Sequence, residues 1–373
     1  MTIELIGITA TQETSNDPDR ADRTDGVSAQ TEAGVPVGPS VNPAYVTRLA
    51  QAHEAAGFDR VLIAHTSSMP DGFVVASHVL QSTTRLGVLL AHRPGFLSPT
   101  LAARAYASLD AFHPGRVAMH VITGGDDVEQ ARDGDFSDKV TRYRRTDDFL
   151  TVLRREWESA EPFDHDGEFY RVRGAWSAVR PAPGGIPVYF GGASEDAIRV
   201  GGKHADAYAF WGEPLDGIRE RIAQVRAAAA PYGRDPRFSV SLRPIVADTE
   251  AEAWARAEAI LDATKERWGT TRRTFGLDGR NAVGSQRLLD TAAKGDVHDK
   301  RLWTALAKVT GATGNSTALV GTHEQVADAL LDYVGVGVTT LLIRGFDPLA
   351  DATSYAPVID LVRTGADRRL ALV

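Results

Sequence analysis

Short apolar runs rich in β-branched residues recur along the chain, and each is followed by a longer stretch in which apolar positions repeat at three and four. That alternation predicts parallel strands joined by crossover helices. The expected strands are Ile3–Ile8, Arg60–Ala64, Leu86–Ala91, Val117–Ile122, Val188–Gly191, Ala207–Trp211, Ser239–Val246 and Thr339–Arg344. The expected helices between them include Ala44–Ala56, Ser98–Asp110, Thr141–Glu158, Ile218–Ala229, Glu250–Lys265 and Glu324–Val334. Eight βα units predict a closed (β/α)₈ barrel. Three stretches exceed an ordinary βα loop: Gln12–Val41, Ser159–Pro183 and Arg267–Ser316. The aromatic and Gly residues of the second suggest extra hairpin strands, and the third reads as a lid with helices inside it. The expectation is one barrel domain over residues 1–373, with the lid inserted at about 267–316.

A chain of 373 residues with 43% hydrophobic and 24% charged residues has the composition of an ordinary globular protein. Its 41 basic and 49 acidic residues are dispersed and sum to a formal charge of -8, which offers no basic stripe to nucleic acid or anionic lipid. The absence of cysteine excludes disulfides, thiolate metal sites and a cysteine nucleophile, and it fits a reducing compartment. The start lacks the basic region and the long apolar stretch of a signal peptide, and no segment approaches the roughly 20 apolar residues of a membrane span. A soluble cytoplasmic protein is expected.

In such a barrel, reactive and binding groups project from the carboxyl ends of the strands. There the sequence reads AHTSSMPDG, AHRPGF, MHVITGG, FWGEP and SVSLRP, each a polar interruption of an apolar run. In VYFGGASEDAIRVGGKHAD a strand meets a helix expected to open near Ser194. Unpaired N–H groups there, with Gly191, Gly192, Ala193 and the Ser194 hydroxyl, are able to cradle a phosphate. A Ser N-cap after Gly-Gly is more often plain helix capping, and the phosphate reading gains weight only from its position in the barrel. TRYRRTDDF places Arg142, Tyr143, Arg144 and Arg145 near a positive helix start, where they need an anion or acidic neighbours such as Asp147 and Asp148. His92 and His120 interrupt buried-looking strands, where a hydrogen-bonded core role is the plainer alternative. None of the ten histidines has HExxH spacing, so no metal is expected. No GxSxG elbow, P-loop or strand-linked GxGxxG is present.

RVLIAHTSS, LGVLLAHRPGFLSPTLAAR, HPGRVAMHVITGGDD, DKVTRYRRTDDFL, PVYFGGASEDAIRVGGKHADAYAFWGEP, NAVGSQRLL and NSTALVG, in this order, resemble stretches of the alkanesulfonate monooxygenases. Those are luciferase-like flavin-dependent enzymes on a TIM barrel, and the resemblance runs from about Val46 to Leu361. It implies reduced FMN supplied by a separate NAD(P)H-dependent flavin reductase, O2 as co-substrate, and oxidation of a sulfonate-bearing carbon to an aldehyde plus sulfite. It implies an FMN phosphate site at Tyr143, Gly192, Ala193 and Ser194, a flavin-lining strand at His120 and Thr123, and a homodimer or homotetramer. Trp211 falls on a similarly placed tryptophan.

Several substrate positions depart from the family pattern. Met69 stands for a cysteine, Ser241-Leu242-Arg243 for Arg-Leu-His, Phe346-Asp347-Pro348 for Tyr-Pro-His, and Gln12 for a histidine, while Ala312 and Thr313 stand where a lid arginine is expected. A desolvated sulfonate needs a cation, and Arg243 is the first expectation, with Arg93 and His65 behind it. A structural ion pair is the alternative for Arg243. His65 and His92 are the candidates for proton transfer because imidazole titrates near neutral pH. The catalytic set is therefore Arg243, His65, His92 and Trp211. The substrate-binding set is Gln12, Met69, Arg93, Trp211, Ser241, Arg243 and Phe346. A sugar sulfonate, a sulfone or a non-sulfonate substrate remains open. So do a deazaflavin-dependent dehydrogenase and a flavin-storing barrel without activity.

Overall fold

The computed structural model describes residues 3–15, 35–37, 39–275, 282–312, 314 and 316–370. The barrel strands are β1 (Glu4–Ile8), β2 (Arg60–Ile63), β3 (Gly87–His92), β4 (Val117–Val121), β5 (Val188–Gly191), β6 (Ala207–Trp211), β7 (Arg237–Val246) and β8 (Thr340–Ile343). Their hydrogen-bonded order is β6-β5-β4-β3-β2-β1-β8-β7, and a further β6–β7 pairing closes the eight-stranded parallel barrel. Strands covered on both faces have no polar side to alternate with. All six residues of GVLLAH in β3 and all four of TLLI in β8 are buried.

The helices are α1 (Pro43–Ala55), α2 (Gly72–Gln81), α3 (Pro99–Phe112), α4 (Asp127–Arg132), α5 (Lys139–Glu158), α6 (Glu195–His204), α7 (Leu215–Ala229), α8 (Glu250–Phe275), α9 (Val283–Lys294), α10 (Ala305–Thr310), α11 (His323–Gly335), α12 (Pro348–Ser354) and α13 (Ala356–Leu370). Local chemistry sets many of their starts. Asp71, Ser98, Asp126, Asp138, Ser194 and Thr322 each accept a hydrogen bond from a first-turn N–H, which satisfies donors the helix cannot. Pro43 and Pro99 stand at the first helical position, where no N–H is required. The expected extra hairpin is present: Phe163–Asp166 pairs antiparallel with Arg171–Ala175.

One feature differs from the sequence expectation. β7 is longer than a barrel strand needs, because only its first half pairs with β8, from Ser239↔Thr340 to Leu242↔Ile343. Its second half pairs with Ala318–Gly321, a strand not anticipated, which pairs in turn with Leu302–Trp303. The described part of the stretch expected as a lid holds α9, a two-residue strand pair and α10, while residues 276–281, 313 and 315 of that expectation, Thr313 among them, lie outside the described residues.

The chain divides into two compact units, one of residues 62–208 and 224–236, the other of residues 1–61, 209–223 and 237–373. In the first, the Tyr106 hydroxyl donates to the Leu90 carbonyl (3.0 Å) and the Trp157 indole N–H to Ala103 O (2.9 Å), tying α3 to β3 and α5 to α3. In the second, Ile245, Ala253, Ala257, Trp303, Leu306, Ala318, Val320 and Phe346 form one buried cluster that joins β7, α8 and the inserted segment. Burying apolar surface of this extent is the main favourable term in folding.

Candidate functional site

In the first unit, α5 and the β5–α6 turn meet. Gly192 has φ +150°, and a methyl group there would stand 2.5 Å from the Ala197 Cβ and 3.1 Å from the Tyr143 hydroxyl oxygen. Only glycine leaves that space open. The Tyr143 phenol is buried and hydrogen-bonds Ser194; burial pushes it up, against the Ser194 and Thr123 hydroxyls. Ser194 also caps α6, accepting from the Ala197 N–H (3.3 Å), so both readings of this turn are physically realised. The Tyr208 hydroxyl donates to the Gly192 carbonyl (3.0 Å) and fixes the turn from behind. Ala193 lies between, partly exposed.

The arginines of the same helix are neutralised, but not by the acids the sequence put forward. Arg142 is 1% exposed and pairs with Asp127 (2.7 Å), Arg144 with Glu168 (2.7 Å) and Arg145 with Asp135 (2.5 Å). The Arg145 guanidinium holds the Asp135 carboxyl down at about 2, against burial, which acts the other way. Asp147 instead binds Lys203 (2.6 Å) and His204 (2.7 Å) on α6. Asp148 binds His165 (2.6 Å) and accepts from the N–H groups of Phe169 (2.7 Å) and Tyr170 (2.9 Å), anchoring the hairpin.

At the ends of β2 to β4 a second polar group forms. Arg93 is 6% exposed, bound to Glu129 (2.8 Å) and within 3.8 Å of Asp133. Glu129 also accepts the Ser67 N–H (2.6 Å). His92 stacks on Phe149 (5.2 Å between ring centres), meets Tyr106 edge-on, and is pushed down to about 3 by burial and then by His65. Burial also lowers His120, to about 4, and lowers His65, with the Arg93 charge adding to it. All three imidazoles are therefore neutral at pH 7. The Nε2 atoms of His65 and His92 and the Nδ1 of His120 are buried without a hydrogen-bond partner. Met69 is partly exposed, and its N–H donates to the Thr66 carbonyl (3.1 Å).

Sequence reasoning missed Glu129 and Gln130. Gln130 is fully buried with both amide atoms unpartnered, packed against the Gly124 backbone where φ is +87°. The DDVEQAR stretch has too few residues for a helical period to declare a buried face. Its Asp126 N-cap was the one legible signal.

In the second unit, Arg243 of β7 is 3% exposed, its guanidinium lies 3.6 Å over the Phe346 ring, and Nη2 donates to the Gly345 carbonyl (3.1 Å). Burial, and then the charge of Arg344, push it down. Phe346 is buried in the β7–α8 cluster, where it forms the floor beneath that guanidinium. Ser241 is two residues before Arg243 on the same strand, and its carbonyl accepts the Gly212 N–H (2.8 Å). Trp211, at the end of β6, packs against Leu288, Ala292, Ala307 and Ala312 of the inserted segment. Gln12 follows β1, partly exposed. Among the described residues no group of three or more His, Asp or Glu side chains is placed to hold a metal ion, and no helix is long and apolar enough to cross a membrane.

A closed eight-stranded parallel barrel with a glycine turn, a buried phenol and neutral imidazoles at its strand ends defines a class that comparison with known proteins makes specific. The sequence profile of the luciferase-like monooxygenases matches residues 25–340. The chain belongs to that family. It is similar to a riboflavin lyase (RcaE) solved with modified FMN and riboflavin, at 22% identity and TM-score 0.75, over 98% of this chain and 92% of that one. It is similar to the EDTA monooxygenase EmoA of Chelativorans sp. BNC1, at 19% identity and TM-score 0.72, over 99% and 94%. An F420-dependent secondary alcohol dehydrogenase matches at 16% identity and TM-score 0.68, over 97% and 100%. At such identities the likeness concerns the fold.

Proposed function

We propose that the chain is a reduced-FMN and O2-dependent monooxygenase of a two-component system, acting on a small organosulfur compound and converting an alkanesulfonate to aldehyde plus sulfite. The observation that carries this reading is the meeting of Tyr143, Ser194 and the side-chain-free face of Gly192. The residues present fit a flavin: a cradle that a Cβ would fill, a helix N-terminus for the phosphate, and buried imidazole nitrogens that lack partners. Tyr143, Gly192, Ala193 and Ser194 hold the phosphate, and His120 and Thr123 line the ring. The flavin, when bound, supplies the oxygen activation.

The chain's own contribution is orientation, dryness and charge. Neutral His120 offers a ring nitrogen without adding a buried cation. His65, the less buried of the two candidates for proton transfer, accepts a proton more readily than His92, which is held near 3 between aromatic rings. Arg243 is assigned to the sulfonate, and Gln12, Met69, Arg93, Ser241, Trp211 and Phe346 to substrate binding. The molecule acts as a cytoplasmic homodimer or homotetramer of one barrel domain, with residues 267–316 as its lid and an NAD(P)H-dependent flavin reductase as partner. Sulfite is measured with the reductase, NAD(P)H, FMN, O2 and a panel of sulfonates; no sulfite from any of them sinks the assignment. The fold shared with an F420-dependent dehydrogenase supports a second reading, hydride transfer without oxygen, which anaerobic turnover with reduced deazaflavin reveals.

A further inference from the structure

In the unit of residues 62–208, one carboxylate ties together the segments that follow β2, β3 and β4. Glu129 of α4 grips the Arg93 guanidinium with both oxygens, Oε1 accepting from Nη1 (3.2 Å) and Oε2 from Nη2 (2.8 Å). Oε1 also accepts the Ser67 N–H (2.6 Å) from the loop after β2. A bidentate pair of this kind fixes direction as well as distance. Burial pushes the Glu129 carboxyl up, but the Ser67 N–H and Arg93 outweigh it and hold the group below the usual carboxylate range. Glu129 therefore stays charged at neutral pH and well below it.

Burying an ion pair often stabilises a fold no more than an apolar contact of the same volume. What this pair adds is a cation in a fixed place, and the group it reaches is His65, two residues before the anchored Ser67. The His65 Nε2 is buried without a hydrogen-bond partner. Burial lowers this imidazole and the Arg93 charge lowers it further, while Glu129, Asp133 and Asp71 pull the other way. Asp133 stands 3.8 Å from Arg93, and Asp71 caps α2 by accepting the N–H groups of Phe73 (3.0 Å) and Val74 (3.1 Å). His92, on which the His65 charge acts, is held near 3 and is uncharged at pH 7.

We propose that Glu129 and Arg93 are the positioning residues of the proton-transfer step: their ion pair anchors the loop after β2 and holds the His65 imidazole beside a fixed cation, in the form that accepts a proton. In that step His65 Nε2 takes up one proton from the ligand and returns it to solvent before the next turnover. The inference rests on the reading of His65 as the proton-transfer group, and it adds this role to the place of Arg93 in the substrate set.

Carbon-13 labelling of histidine in the purified full chain, with the His65 NMR signal assigned from H65Q, titrates this imidazole without flavin or substrate. R93M removes the cation and leaves Glu129, Asp133 and Asp71, so the His65 pKa should rise by about one unit. E129Q keeps an acceptor for the Ser67 N–H and leaves Arg93 less compensated, so the pKa should fall below that of the unaltered protein. R93K restores the charge and should reverse most of the R93M rise. A pair that only packed the loop would, on its loss, let water reach His65 and raise the pKa in both R93M and E129Q. Shifts of one sign, or no shift, overturn the inference. Circular dichroism and Tm report folding, and E129Q decides by its sign alone if R93M does not fold. The acid limb of kcat/KM for sulfite release reports the free enzyme's base and should move with the same signs, whereas a lost substrate contact lowers the profile without moving its limb. A limb that stays in place while the NMR shifts are opposite removes this inference and leaves the monooxygenase reading standing. Opposite NMR shifts with no sulfite from any sulfonate sink that reading and leave the hold of the pair on His65 standing.

Discussion

Replacing Gly192 by Ala adds one methyl group where the turn has no space for it. The new Cβ would stand 2.5 Å from the Ala197 Cβ and 3.1 Å from the Tyr143 hydroxyl, and the first contact is roughly an ångström too close. Neither neighbour is the tip of a flexible chain. Ala197 belongs to the first turn of α6 and Tyr143 is buried, so relief requires the helix start to move. The φ of +150° adds backbone strain of about 1 to 3 kcal/mol for a residue with a Cβ. If the turn and the phenol grip a phosphate, a displacement of that size breaks one charge-assisted hydrogen bond, about 1.5 to 3 kcal/mol, or roughly tenfold to hundredfold in FMN affinity. Flavin fluorescence quenching gives the Kd, and thermal unfolding gives the stability. Gly185→Ala serves as the control, because Gly185 has φ +73° with nothing within 4 Å of its would-be Cβ. Backbone strain alone lowers Tm in both variants and leaves FMN binding alone in both. A G192A protein that binds FMN within twofold of the unaltered chain refutes the cradle.

Tyr143→Phe removes the hydroxyl that bonds Ser194 and should weaken FMN binding about fivefold to tenfold with little change in fold, as read by the same titration. Arg243→Ala should raise the KM for an alkanesulfonate far more than the Kd for FMN; equal losses would remove Arg243 from the substrate site. Asp148→Ala deprives two backbone N–H groups and His165 of their acceptor, so residues 163–175 should lose hydrogen-exchange protection while α5 keeps its own. Buried His53 and His92, lowered to about 4 and about 3, are neutral when folded and bind protons on unfolding. Stability should therefore be full above pH 6.5 and fall as pH drops toward 4, by about 2 kcal/mol per histidine at pH 5. The carboxyls of Asp135 and Asp147, held near 2 when folded, add a further loss in the same direction as pH falls below about 4. Denaturant melts at pH 7, 6 and 5 that superimpose would contradict this.

The sequence alone determined the eight barrel strands, each ending within two residues of its expected bounds, and most of the helices between them. Burial on both faces and helical periodicity are local patterns, and Asp138, Ser194 and Thr322 announce helix starts through bonds spanning three residues. The small-residue turn at Gly192 before a helix start was legible too, and the structure brings the Tyr143 hydroxyl to it. Partners were another matter. That Arg142, Arg144 and Arg145 turn to Asp127, Glu168 and Asp135 rather than to Asp147 and Asp148 depends on loops whose paths no periodicity records. Arg344 read as the last residue of a strand, and its charge came to act on Arg243 only because β7 and β8, about a hundred residues apart in the chain, settle in one register. Ion pairing and desolvation act through space, so tertiary structure decided them.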